Sequence, residues 1–235
     1  MNTMPMNDEL LRQALKQDWQ DHTKKPEGVA ERLWTRLSSP MGESDLVELA
    51  ALASHVFGEH LGDWQNGIRY LEQLGHEHPH ASLACCSRVK RQQAVLVKAQ
   101  DSTVRLDSFD EQDQFYITAL ALPAITLQRS AQEGEEIFTE AIQLMVALDS
   151  RAQRRLFGVV TANLVCDLLE RSTLSGGERN FLVTLAEKSY GIWSQEGDES
   201  DREKAGFRLV QCYQKCRMPE NYGSGRYARF LFIEP

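Results

Sequence analysis

FGEHLGDWQNGIRYLEQLGHEHP, Phe57 to Pro79, has an order of small, aromatic and bulky residues that decides the fold. Gly62 stands where a turn is needed, Trp64 follows two residues later, and Gly67 is small where two helices would cross closely. Leu71 lies on the packing face that follows, and Pro79 ends the unit. A helical hairpin needs this pattern, because small residues let the helices approach and apolar residues spaced by three and four hold them together.

This stretch resembles the turn and second helix of a tetratricopeptide repeat, and the resemblance covers about one repeat. In the strict spacing of that family the first helix would carry its large apolar, small and aromatic residues at Ser54, His55 and Gly58, which suit those roles poorly. A shift of one residue brings Ala53, Ser54 and Phe57 into place, and the turn must then be one residue longer. The resemblance implies a scaffold of stacked hairpins that holds a polypeptide in a groove.

Outward from the hairpin, the chain shows repeated helix starts. Ser108 to Glu111, Ser150 to Gln153, Ser175 to Glu178 and Ser200 to Glu203 each fit the capping box, in which a hydroxyl and a carboxylate or amide satisfy each other's exposed backbone N–H groups. Apolar stripes follow them: Leu156, Val160, Leu164 and Leu168; Phe181, Leu182, Leu185 and Ile192; Leu209, Val210, Tyr213 and Cys216. Upstream, helices are predicted near Asp8 to Trp19, Glu27 to Leu37, Asp45 to Leu61, Asp63 to Leu74, Ala81 to Ala99, Phe109 to Leu122 and Glu135 to Leu148. Pro123 should kink or restart its helix, and Gly134 should mark the next break. The predicted class is all-α, with antiparallel helical hairpins stacked as an α-solenoid or packed as a helical bundle. The chain reads as one helical-repeat domain over 1–235. If there are two lobes, Asp101 to Asp107 is the boundary, and Asn221 to Pro235 forms a C-terminal tail.

Composition agrees with this. Hydrophobic residues make up 42% of the 235, enough for a sizeable core, and the 8% aromatic content with few β-branched runs disfavours a sandwich or barrel. The net charge of −8 works against non-specific binding to nucleic acid or a membrane surface. Five cysteines, with Cys85 and Cys86 adjacent, make no disulfide framework. No apolar run reaches the ~20 residues of a membrane span and no apolar leader is present, so the predicted location is the cytoplasm.

Several short motifs invite chemistry. Leu174 to Glu178, LSGGE, is similar to the signature sequence of ABC-type ATPases, but no GxxxxGK[ST] loop exists in the chain, and a capped helix start explains it. Gly223 to Ala228 fits GxGxxA, with too little chain after it for a dinucleotide fold. Five of the six histidines, His55, His60, His76, His78 and His80, cluster shortly before Cys85 and Cys86. Imidazole and thiolate are zinc ligands, which makes His76, His78, His80, Cys85 and Cys86 the candidate metal ligands, although their spacing matches no HExxH or CxxC pattern. Cys166, Cys212 and Cys216 read as core residues. Arg151, Arg154 and Arg155 oppose the dipole at a helix start, which suggests an acidic partner, in the same chain or outside it. In the tail, Phe230 to Ile233 reads as an apolar cap over the last hairpin. No nucleophile elbow, kinase signature or glycosidase carboxylate pair is present.

The function that follows is a non-catalytic interaction module, an adaptor, chaperone-like or regulatory scaffold without a cofactor, that binds a basic or amphipathic polypeptide in its groove. The alternative is a metal-binding helical-bundle enzyme or sensor using His76, His78 and His80. A third is a nucleic-acid-binding regulator using Arg88, Lys90, Arg91 and the tail, which the acidic charge makes the weakest of the three.

Overall fold

The computed structural model describes residues 8 to 216. These residues fold into ten α-helices with no strand among them: α1 (Asp8–Asp21), α2 (Pro26–Arg36), α3 (Glu43–His55), α4 (Trp64–Glu77), α5 (Leu83–Gln100), α6 (Glu111–Gln128), α7 (Ala131–Leu148), α8 (Arg151–Glu170), α9 (Gly176–Glu196) and α10 (Glu199–Cys216). A π-helical turn, Val56–His60, continues α3. The fold is therefore all-α, as its periodicity and caps predicted. No helix among the described residues is long and apolar enough to cross a membrane. The GxGxxA motif and the apolar cap of the tail lie outside the described residues.

Residues up to Ser130 and from Ala131 onward form two compact units, and residues 101 to 107 lie inside the first. In that unit α4 buries Gly67, Tyr70, Leu71 and Leu74 along one stripe. At Gly67 a Cβ would meet Phe57 Cβ and Leu96 Cδ1, each at 2.7 Å, so α4, the π turn and α5 converge where only glycine fits. Ala53, Ser54 and Phe57 of the shifted register are buried, and so is Gly58 of the unshifted one. Helices α3 and α5 run the same way, since Glu43 accepts hydrogen bonds from Ser82 and Ser54 donates to the Gln92 carbonyl. Helix α6 also runs alongside α5 in the same direction. Arg91 meets Asp113 near the start of α6, and Arg129 just past its end donates to the carbonyls of Ala99 and Gln100. The segment between α5 and α6 returns the chain.

In the second unit Phe138 on α7 stacks on Phe157 of α8 and meets Phe181 of α9 edge-on, both at 5.6 Å between centroids. Gly158 lets α9 close on α8: a Cβ there would meet Ile192 Cγ2 at 2.9 Å, and Trp193 Nε1 donates to the Gly158 carbonyl at 3.2 Å. The acidic partner expected for the arginines is in the same chain. Arg151 and Arg154 pair with Glu196 at 3.2 and 2.6 Å, and Arg155 donates to the Glu196 carbonyl, so the start of α8 is neutralised by the end of α9. A guanidinium at a helix C-terminus also complements that helix's dipole.

Several local expectations are corrected. Helix α6 continues through Pro123, because Ile117, Thr118 and Ala119 before the proline and Ala121 to Thr126 around it are all buried, and tertiary packing outweighs the lost amide. Gly134 is buried inside α7, whose start lies at Ala131. Ser108 is not a cap; Asp110 caps α6 by accepting from the Asp113 amide at 2.8 Å. Ser200 lies inside α10, and the reciprocal cap is built from Asp198 and Asp201, each accepting the other's backbone N–H. Ser150 precedes α8 but makes no side-chain cap. The full box forms at Ser175 and Glu178, where the two exchange bonds at 2.7 and 3.2 Å.

Two tests follow from these contacts. Gly67→Ala should destabilise the first unit by about 1–3 kcal/mol, the usual cost of overpacking, whereas Gly75→Ala in the same helix, with nothing within 4 Å of its Cβ, should stabilise it by up to about 1 kcal/mol. Urea titrations that show both changes with the same sign would refute the close crossing. Ser175→Ala should cost about 1 kcal/mol. Hydrogen bonds from Ser175, its backbone N–H first, hold the Glu178 carboxyl below its usual range. The stabilisation from that carboxylate is therefore present above the ordinary carboxylate range and lost as pH falls through it, so the advantage of the wild type over Glu178→Gln should vanish in acid melts.

Candidate functional site

Two features of the first unit carry polar groups or open surface suited to a ligand. The first begins with a turn after α1. Asp18 is buried and accepts from Arg32 at 2.7 Å and from Arg36, while Asp21 accepts from Arg32 at 3.0 Å, so two guanidinium groups of α2 pin the end of α1. Immediately after this anchor stands His22. Its Nδ1 contacts the Trp19 carbonyl, and because a carbonyl only accepts, Nδ1 carries the proton and Nε2 the lone pair.

His55 ends α3 and His60 ends the π turn. Five residues along an α-helix would place them about 140° apart at 3.6 residues per turn. The π turn adds a residue to the ring, with Leu61 N donating to Val56 O at 3.0 Å, and brings residue i+5 back over residue i. His60 Nε2 consequently lies 3.3 Å from His55 Nε2. His55 Nδ1 is 2.7 Å from Glu59 Oε1, a carboxylate that orients the ring. Gln128 of α6 donates to the carbonyls of Glu59 and His60, and Gly62, at φ 61°, leaves the turn in the left-handed conformation beside it.

The three imidazoles are half-buried, and one nitrogen of each lies within 4.8 Å of the others. Their centroids are separated by 4.8 to 5.1 Å, and the Trp19 ring flanks His22 and His55. Burial, reinforced by His55, lowers the His22 ring below the ordinary histidine value against the opposing pull of the Trp19 carbonyl. Burial also pushes His60 down to about 4, with His55 adding to the effect and Glu59 opposing it. Both rings are neutral at pH 7, the form that binds metals.

The second feature is a cleft between α4 and α5 of about 410 Å³, floored by Leu46, Leu71, Val89 and the Gly75 backbone. Leu83, 90% exposed, stands at its lip. A smaller recess of about 210 Å³ continues it past Leu46 and His78 to Met41, Glu43 and Glu77. The ligands expected from sequence belong here: His76, His78 and Cys86 line the cleft, His80 lines the recess, and Cys85 is buried with its thiol against the Glu43 carbonyl. His78 donates to the Leu37 carbonyl at 3.2 Å. Among the described residues these five do not form a ligand group; His22, His55 and His60 do. His55 and His60 stand out in the sequence, but His22 does not, and neither do the orienting Trp19 and Glu59.

The basic run is absorbed internally in part, since Arg91 pairs with Asp113 at 2.7 Å and lies 3.8 Å over the Tyr116 ring. Cys212 is buried, which pushes its thiol up to about 12, in keeping with a core role. No family model, characterised protein or solved structure matches this chain.

Proposed function

We propose that this chain is an interaction module that acts by binding, not turnover, and that its first unit seats an amphipathic helical segment of a partner polypeptide in the α4–α5 cleft. The observation that carries this is the apolar floor of the cleft continuing into the 90% exposed Leu83 at its lip. A single exposed leucine is ordinary, but one beside a concave apolar surface extends it. Carboxylates at Glu43, Glu72 and Glu77 border the cleft and recess against the Lys90 ammonium. With a net charge of −8, this selects a segment whose polar face is basic. The apolar face would enter the cleft as in other helix-in-groove complexes. The hairpin's resemblance to a tetratricopeptide repeat supports the same reading, as do five free cysteines for a cytoplasmic location.

The test is fluorescence polarisation with synthetic amphipathic helical peptides of matched apolar faces and basic, neutral or acidic polar faces. Basic members should bind best and weaken with salt. Leu83→Glu should weaken them about tenfold or more, since burying a leucine contributes about 1.5–3 kcal/mol. Equal binding of all three classes, or no effect of Leu83→Glu, would overturn the proposal.

A further inference from the structure

We propose that His22, His55 and His60 form a binding site for a divalent transition-metal ion of the zinc class, which ties the end of α1 to the π turn. This inference is independent of the cleft: His55 lies nine residues along α3 from Leu46, about 14 Å at 1.5 Å per residue.

The spacing is that of ligands around one ion. Two nitrogens bound to tetrahedral zinc at 2.0–2.1 Å are separated by about 3.3–3.4 Å, and His55 Nε2 and His60 Nε2 already stand 3.3 Å apart. All ligand atoms lie within 4.8 Å, so the third ring closes by at most about 1.5 Å, within the reach of a histidine on a turn. The tautomers agree as well. The Trp19 carbonyl fixes the proton of His22 on Nδ1, and the Glu59 carboxylate does the same for His55, which is how metal-binding histidines are commonly oriented. A single proton between His55 and His60 serves that one contact, whereas a cation serves the Nε2 lone pairs of all three rings together. On binding, the His60 proton shifts from Nε2 to Nδ1 through solvent, with no net release, and frees Nε2 for the metal as a neutral ligand.

Three imidazoles without a thiolate suit zinc, cobalt, nickel or copper and not calcium or magnesium. Half-buried rings leave a fourth position open to water or an exchangeable ligand, the arrangement of sites with three protein ligands. Glu59 is a positioning residue: it holds His55 and does not itself need to touch the ion.

The experiment uses the full chain without an affinity tag, stripped with chelator and titrated with zinc and with cobalt(II). One zinc ion per chain should bind, and cobalt(II) should give the intense visible bands of a tetrahedral site. His60→Ala and His22→Ala should each weaken zinc at least a hundredfold. Glu59→Gln, which keeps the fold and the three rings, should weaken it about ten- to a hundredfold by loosening His55. The triple variant His76→Ala, His78→Ala, His80→Ala should bind as the wild type does. Circular dichroism melts with and without zinc check folding, and zinc should raise the melting temperature of the wild type and not of His60→Ala. Absence of stoichiometric binding, retention of it in folded His60→Ala, or its loss in the triple variant would overturn the site.

Discussion

An α-helix closes its hydrogen-bonded ring every four residues, and between Val56 and His60 the chain closes it every five. The extra residue has to be accommodated without moving the packing on either side. It is, because Ala53, Ser54 and Phe57 remain buried before and within the turn and Gly67 lies against Phe57 after it. The helix ends at His60, so its last carbonyls lack partners within it, and the Gln128 amide takes those of Glu59 and His60. Gly62 then redirects the chain in a conformation that a side chain would strain. The entry of α4, its crossing with α5 and the meeting of two histidines all depend on that one inserted residue.

This also explains what the sequence disclosed and what it did not. The residue order around Phe57 called for one extra residue before Gly62, and the π turn, Val56–His60, inserts one there. Its position was legible, but the form was not, because periodicity cannot distinguish a longer loop from a wider helical turn. Helix starts were legible to within a few residues wherever Ser, Asp and Glu crowd together. Which of them caps is decided by geometry: Asp110 displaces Ser108, and Asp198 with Asp201 displaces Ser200, since a carboxylate accepts as well as a hydroxyl. Pro123 does not restart its helix, because the rule describes an isolated helix and α6 is buried along most of its length.

The candidate ligands show the same limit more sharply. His76, His78 and His80 were conspicuous because they recur at every second position, yet alternate residues around a helix end point to different surroundings, and they line two recesses. His22 was inconspicuous because nothing near it repeats. Its place is set by Asp18 and Asp21 against Arg32 and Arg36, contacts between two helices that no spacing within either one encodes.

The two units handle electrostatics in contrasting ways. In the second, Arg151, Arg154 and Arg155 meet Glu196 where at least one partner is well exposed or the pair is half-buried, and each such contact contributes modestly. In the first, Asp18 is fully buried and each of its oxygens has its own guanidinium, so losing either arginine leaves one buried carboxylate oxygen unpaired. The cost of that arrangement is tolerated at the point where α1 ends and His22 begins. A rigid ion-pair anchor stands next to three half-buried imidazoles, with charge kept where it is compensated and ring nitrogens gathered beside it. A cation site requires such a frame, fixed around ligands that the Trp19 carbonyl and the Glu59 carboxylate already orient.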